Sequence, residues 1–264
     1  TVSGSSVGNV AGTGAFTIPM MKKLGYRPEF AGAVEAAAST GGQLMPPVMG
    51  AAAFLMAEFV GVPYFDVVKA AVIPALLYYI GVWLGVHYEA KKYDLKGTPR
   101  EELPSFKKLF VEKGHLALPL IVIVYLLVSG FTPMRAALAA ILLSICCASL
   151  RASTRITFRQ GVQGLIDGSM GVLGVLIACA TAGIIIGVVT KTGVGLKVAT
   201  ALLDLSGGAL LPAMFFTMIT SLILGMGVPT TANYVITSTI AAPALVQMGV
   251  PVLAAHMFAF YFGI

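Results

Sequence analysis

The chain is 264 residues long, 58% apolar and only 11% charged, with a mean hydropathy of +0.92; a soluble domain runs at about 45–50% apolar and about 25% charged. Too few polar side chains exist to cover an outside in water, so a soluble globular enzyme is set aside, and so much apolar surface sets aside disorder. The net charge of +6 does not imply nucleic acid, because the basic residues lie in the gaps between apolar runs, where they orient a chain in a bilayer.

What remains is an all-α polytopic membrane protein. A β-barrel needs segments of about 10 residues with alternating polarity, whereas Leu116–Gly130 and Met170–Val189 are long and unalternating. At about 20 residues per span, the length allows roughly eight to ten membrane segments. Cys146, Cys147 and Cys179 all fall inside apolar runs and read as small core hydrophobes, with no metal-ligand spacing. The chain opens on Thr1 before a Ser/Gly-rich stretch and reads as an internal piece of a longer one.

In chain order, Thr1–Met21 is rich in small residues and Lys22–Glu29 is a basic loop. Pro28 stands at a favoured helix-start position and opens a run from Phe30 to Val60, broken in its middle by Gly41-Gly42-Gln43-Leu44-Met45-Pro46-Pro47. Asp66–Tyr88 is a full span containing Pro74, and Glu89–His115 is a polar surface loop with some helix. Leu116–Gly130 and Pro133–Leu150 form a pair joined by a tight turn. Arg151–Gly168 is a second basic loop, followed by a glycine-rich span at Ser169–Val189. Lys191–Ser206 is amphipathic and is expected along the interface. Leu210–Met226 and Thr230–Met248 are apolar halves joined at Gly225–Pro229, and a last run starts at Val252.

With the 22–29 loop inside and 210–248 a re-entrant hairpin, the loops at 89–115 and 151–168 also face inside. These three hold Lys22, Lys23, Arg27, Lys91, Lys92, Lys96, Arg100, Lys107, Lys108, Lys113, Arg151, Arg155 and Arg159; of the 17 basic residues only Lys69, Arg135, Lys191 and Lys197 fall on the other side. That asymmetry follows the positive-inside rule.

The start of the chain resembles its end. With Ser6-Val7-Gly8-Asn9 set over Thr230-Thr231-Ala232-Asn233, Thr13 meets Thr237, Pro19 meets Pro243 and Gly25 meets Gly249; one skipped residue then brings Pro28 onto Pro251. Asn and Pro are costly within a membrane, which gives these matches weight. The topology puts the two copies on opposite sides, so the repeat is read as inverted, the pattern of secondary transporters that bind near the midplane. A helix broken in mid-membrane exposes carbonyls that suit a dehydrated Na⁺ and N–H groups that suit a carboxylate. Ser-x-x-Asn and Thr-x-x-Asn each place two oxygen ligands on one face of a helix start. Three segments are expected: 1–60, a first-repeat hairpin remnant and broken helix; 61–208, connecting spans, loops and the interfacial helix; 209–264, the second-repeat hairpin and the start of another helix.

Three stretches carry a family resemblance: Ser3-Gly-Ser-Ser-Val-Gly-Asn-Val-Ala-Gly-Thr-Gly-Ala-Phe-Thr-Ile-Pro19, Gly32-Ala-Val-Glu-Ala-Ala-Ala-Ser-Thr-Gly-Gly-Gln-Leu-Met-Pro-Pro-Val-Met-Gly50 and Leu224-Gly-Met-Gly-Val-Pro-Thr-Thr-Ala-Asn233. The chain resembles the large permease subunit of tripartite ATP-independent periplasmic (TRAP) transporters, DctM-like, and most of all the fused permeases of TAXI-type systems. The resemblance implies an elevator-type, Na⁺-coupled importer in the bacterial inner membrane. It also implies a periplasmic TAXI-type binding protein and a small membrane subunit, which in such permeases is fused. No organic cofactor is implied. The first tip then corresponds to Ser3–Asn9, the first broken helix to Gly41–Pro47 and the second tip to Gly225–Asn233. Na⁺ candidates are Ser3, Ser6, Asn9, Gly41, Gly42, Pro46, Gly225, Gly227 and Thr230. Candidates for a small carboxylate substrate are Ser5, Ser6, Gln43, Thr230, Thr231 and Asn233. Both tips are expected to point at the 41–47 break. The skipped register lays Gly41 on Ile264, so the natural chain is expected to continue into a second break, and this piece to hold at most one complete cation site.

Glu35 has two readings, a functional intramembrane acid or a complement to the dipole at its helix start. His256 reads as a satisfied polar contact rather than a proton relay. Glu58 and Lys69 lie near span ends and snorkel, His87 and His115 are interfacial, and Asp167 and Asp204 are caps or interface residues. No Gly-Lys dipeptide occurs, so no Walker A loop or ATPase is present. An ion channel with re-entrant pore loops also breaks helices in mid-membrane, and a binding-protein-independent Na⁺/carboxylate symporter would share the site. An intramembrane protease needs a catalytic pair that the sequence does not offer.

Overall fold

The structure is a computed structural model that describes residues 4–98, 105, 110, 114–150 and 155–264. The described elements are helical. In order they are α1 (Ser6–Gly12), α2 (Gly14–Lys23), α3 (Pro28–Gly41), α4 (Ala51–Val60), α5 (Tyr64–Lys92), α6 (Leu118–Val128), α7 (Pro133–Ser149), α8 (Phe158–Thr192), α9 (Val194–Leu205), α10 (Leu210–Gly225), α11 (Thr230–Ile240), α12 (Ala242–Gln247) and α13 (Val252–Gly263).

Among the described residues one helix, α5, is by itself long and apolar enough to cross a bilayer. Its 29 residues reach about 43 Å at 1.5 Å per residue, and Pro74 is accommodated within it. α4, α10 and α13 are apolar but short, as expected of helices interrupted by breaks. α6 and α7 pack side by side as a hairpin, turned at Gly130, whose φ is +83. Large apolar side chains on α5, α7 and α8 face outward, among them Ile73, Trp83, Leu138 and Leu165; such faces need lipid or protein against them. Cys147 is buried but Cys146 is exposed, so only one of this neighbouring pair behaves as a core residue; consecutive positions on a helix point about 100° apart.

The second basic loop is shorter than its charges imply. α8 begins at Phe158 and runs through the glycine-rich span to Thr192; residues 151–154 lie outside the described residues. Thr157 and Gln160 form a reciprocal capping box, the Gln160 side chain accepting from the Thr157 N–H at 2.8 Å. This Thr-x-x-Gln pattern is the sequence signal for the start. Gly193, at φ +66, turns the chain through 66° between the end of α8 and α9. α9 buries Gly195, Ala199 and Leu202 and packs on α10, α11 and α12.

The internal repeat is present in the backbone. α1 and α11 start, and α2 and α12 end, at positions 224 residues apart (Ser6 and Thr230, Lys23 and Gln247). The first unit closes with Tyr26 N–H donating to the Met21 carbonyl and Gly25 N–H to Lys22, and the second with Val250 to Leu245 and Gly249 to Val246. Gly25 and Gly249, at φ +99 and +86, supply the left-handed residue that this helix ending requires. Thr13 Oγ1 donates to the Asn9 carbonyl at 2.8 Å and Thr237 Oγ1 to that of Asn233 at 3.0 Å. The separation of 224 also holds at the next helix, where Arg27 caps α3 and Pro251 caps α13. The skipped residue that aligned the two prolines is therefore absent from the fold: helix capping, rather than proline identity, sets the register.

The largest core joins both copies. Leu44 and Met49 from the break after α3 are buried with Met56 of α4, Val67 of α5, Tyr234 of α11 and Phe260 of α13.

Candidate functional site

The first tip is built by capping. Ser5 Oγ accepts from the Gly8 N–H at 3.1 Å and starts α1. One turn on, Asn9 is buried at 5% exposure. Ser6 Oγ accepts from Gln43 Nε2 at 3.0 Å, which joins the tip to the helix break. Gly4 lies so close to the Met49 carbonyl that a Cβ has no room. Ser3 lies outside the described residues.

The break follows Gly41, and its free backbone groups find partners that the sequence did not advertise. Tyr78 and Tyr79 of α5 donate to the Ala37 and Ala38 carbonyls, both at 2.9 Å. Tyr64 Oη lies 3.1 Å and 2.9 Å from the Pro47 and Val48 carbonyls. These hydroxyls serve carbonyls in the last turns of α3 and in the break that follows it. The Tyr78 ring packs on Gly41, where a Cβ would lie 2.6 Å from it. The Gly41 carbonyl accepts from Leu44 and Met45 N–H, both at 3.0 Å, so its lone pairs are already engaged; the Gly42 N–H turns back to Ser39. The Pro46–Pro47 bond is cis. Gln43, 5% exposed, has its Oε1 buried without a hydrogen-bond partner.

The second tip is built differently. Pro229 caps α11 without a side-chain hydrogen bond, so the Ala232 N–H, equivalent to that of Gly8, lacks the hydroxyl that Ser5 provides in the first copy. Gly227, at φ +73, makes the turn. Asn233 is fully buried; its Nδ2 donates to the Gly263 carbonyl and its Oδ1 has no partner. Gly225 abuts the same carbonyl too closely for a Cβ.

The expectation that both tips meet the 41–47 break therefore needs correction. The first tip does so through Ser6 and Gln43. The second seats instead on the end of α13, at the position that the 224-residue separation pairs with Ser39 near the end of α3. Each tip contacts the helix that follows it within its own copy. The copies meet through Tyr234, which shares the core with Leu44 and Met49 and lies 5.9 Å, ring centre to ring centre, from Phe59 of α4. His256 is a satisfied polar contact, sharing a 2.9 Å hydrogen bond with Tyr234 Oη.

Two further residues escaped sequence reasoning. Thr217 and Ser221 on α10 are fully buried, and neither hydroxyl has a hydrogen-bond partner. Neighbouring hydroxyls, such as Thr220 on Phe216 and Thr239 on Val235, bond back to their own helix. Thr217 and Ser221 share the face of α10 that carries Gly225, at i, i+4 spacing. The signal was a polar pair one turn apart inside an apolar run.

A chain whose described elements are all helical, with outward apolar faces, short helices broken in pairs and a repeated tip-on-helix-end unit, has the architecture of an integral membrane transporter. Its family is that of the tripartite ATP-independent periplasmic transporter, DctM component: the family model matches residues 1–264, and the chain belongs to it. This is a family of transporters and not of enzymes. The chain is also 24% identical, over 154 residues, to the uncharacterized protein YgiK of Salmonella typhimurium; the match covers 56% of this chain and 34% of that protein. The chain thus spans about a third of the length of that curated relative.

Proposed function

We propose that this chain is the permease part of a Na⁺-coupled, binding-protein-dependent importer of small carboxylates. The carrying observation is the paired unit: two hairpin tips 224 residues apart, each seated on the end of the following helix, with buried amide oxygens at Gln43 and Asn233 left without partners. Such oxygens are costly unless a ligand uses them, and a dehydrated monovalent cation is held by carbonyl, amide and hydroxyl oxygens. In this reading Ser3, Ser6, Asn9, Gly42 and Pro46 supply the first cation site, and Gly41 positions it rather than ligating. Gly225, Gly227 and Thr230 supply part of a second.

The carboxylate lies between Ser5, Ser6 and Gln43 on one side and Thr230, Thr231 and Asn233 on the other. The uncapped N–H groups of α11 and the positive end of its dipole favour an anion there. The copies are inverted in the membrane and move as one body in an elevator cycle. A periplasmic TAXI-type protein delivers substrate, and a small membrane subunit braces the permease.

The test is uptake of a labelled carboxylate into proteoliposomes holding the full-length permease with its small subunit and binding protein. Saturable uptake that needs an inward Na⁺ gradient is expected, and Asn9→Leu or Gly42→Val is expected to raise the Na⁺ concentration for half-maximal uptake at unchanged expression. Unsaturable conductance, or uptake indifferent to Na⁺, would overturn the reading.

A further inference from the structure

Glu35 belongs to neither tip. It sits seven residues inside α3, about 10 Å from the helix start at 1.5 Å per residue, and is 7% exposed. Three hydroxyls donate to its carboxylate: Thr13 to Oε1 at 2.7 Å, Thr17 to Oε2, and Ser39 to Oε1 at 3.4 Å. A Cβ on Gly14 would lie 3.2 Å from its Cγ, so the helical arm α1–α2 packs directly over the acid.

Two of these hydroxyls are oversubscribed. Thr13 Oγ1 also lies 2.8 Å from the Asn9 carbonyl, and Thr17 Oγ1 3.1 Å from the Thr13 carbonyl. A hydroxyl carries one proton. With Glu35 ionised, three hydroxyl protons face five acceptor contacts. A proton on the carboxyl lets Glu35 donate to one threonine, which then turns its own proton to its backbone carbonyl. The charge that burial penalises is removed in the same step.

Nothing cationic faces the acid among the described residues. α1 carries no titratable side chain, and α2 offers only Lys22 and Lys23 in its last turn. α5 brings Tyr78 and Tyr79, whose hydroxyls are committed to Ala37 and Ala38. On α3, Glu29 is in the first turn, and Arg27 at the cap is paired with Glu89 at 2.9 Å. The second copy builds the same helical arm without the acid: at the 224-residue separation Glu35 falls on Ala259 and Thr17 on Ala241, while Thr237 keeps the backbone bond of Thr13. The fold of the unit therefore does not require Glu35.

We propose that Glu35, with Thr13, Thr17 and Ser39, is an intramembrane proton-binding site that fastens the α1–α2 arm to α3. The proton comes from bulk solvent and forms an O–H bond on the carboxylate, with no electron transfer. Protonated, the network is one proton short and the α1–α2 arm is held more firmly; ionised, it is two protons short and the arm loosens. This goes beyond the Na⁺ and carboxylate reading and does not depend on it.

The test uses the full-length protein in lipid vesicles and needs no transport. Infrared difference spectra over a pH titration are expected to show a protonated carboxyl band that fades as pH rises in the wild type and is missing in Glu35→Gln. Amide exchange across α1 and α2, corrected for intrinsic rates, is expected to rise severalfold with pH in the wild type and to stay flat in Glu35→Gln. A band that titrates equally in Glu35→Gln, or equal pH dependence of exchange, overturns the proposal. Should Glu35→Gln not fold, Thr17→Val and Thr17→Ser carry the test. Loss of a donor to the ionised form is expected to move the band to higher pH in Thr17→Val, and Thr17→Ser to restore it. An unmoved band in Thr17→Val overturns the proposal.

Discussion

Glycines at close approaches and glycines in open space behave oppositely in this chain. A Cβ at Gly225 runs into the Gly263 backbone carbonyl, whereas at Gly12 it meets nothing within 4 Å. Backbone cannot yield as a side-chain tip does, so Gly225→Ala is expected to cost about 1–3 kcal/mol, as overpacking does. Gly12→Ala, on a helix, is expected to be neutral or to stabilise by up to about 1 kcal/mol. Melting temperatures of the two variants in one detergent check this; equal shifts would mean that α10 and α13 do not approach as closely as described. At the same scale, the Gln43 side chain donates to Ser6 Oγ and so joins tip and break. Gln43→Leu is therefore expected to weaken substrate uptake more than it lowers the melting temperature.

Helix ends are where this fold spends its polar groups. The end of α3 also receives hydrogen bonds from Tyr78 and Tyr79 of another element, so α5 supports the break beside its own backbone bonds. Tyr78→Phe or Tyr79→Phe removes a hydroxyl donor to the end of α3, and each is expected to destabilise by about 0.5–1.5 kcal/mol. Because these carbonyls abut the candidate cation site, the Na⁺ requirement is expected to shift as well, and a Na⁺ titration of uptake beside a melting curve separates the two effects. The start of α8 is set locally. Thr157→Ala removes its capping box and is expected to cost about 0.5–2 kcal/mol, visible as faster amide exchange over the first turn of α8 with uptake unchanged. Slower uptake would instead connect this helix start to transport.

At the scale of the molecule, charge distribution dictates topology. Lys96 and Arg155 lie in the basic loops, while Arg135 is exposed near the start of α7. In a full-length, cysteine-free background, Lys96→Cys and Arg155→Cys are expected to be labelled by an impermeant thiol reagent only from the cytoplasmic face. Arg135→Cys is expected to be labelled only from the periplasmic face. Labelling of all three from one side would break the topology and with it the inverted relation of the copies. The guanidinium of Arg27, hydrogen-bonded to Glu89, is held above its ordinary pKa. This exposed pair ties the start of α3 to the end of α5, and high salt is expected to weaken it with little change in stability.

Composition, with only 11% charged residues, pointed to a membrane protein, and the long unalternating apolar runs made it helical rather than a barrel. The Asn, Pro and Gly spacing also determined the repeat, the broken helix after Gly41 and the two tips, because residues costly in a membrane are informative wherever they recur. What stayed out of reach depended on contacts between distant segments. The tyrosines that serve the break at Ala37, Ala38, Pro47 and Val48 come from α5, and nothing local in Tyr64, Tyr78 or Tyr79 distinguishes them from interfacial aromatics. The orphaned hydroxyls of Thr217 and Ser221 look like any helical Thr and Ser until packing denies them partners. The seat of the second tip on α13, and the register without a skipped residue, were decided by capping geometry that residue identity does not encode: Arg27 and Pro251 cap equivalent helices with unrelated side chains. The two roles open for Glu35 were separated only when the α1–α2 arm folded over α3 and brought Thr13 and Thr17 onto its carboxylate. Local pattern fixes which backbone groups are left free, and only the tertiary structure decides what meets them.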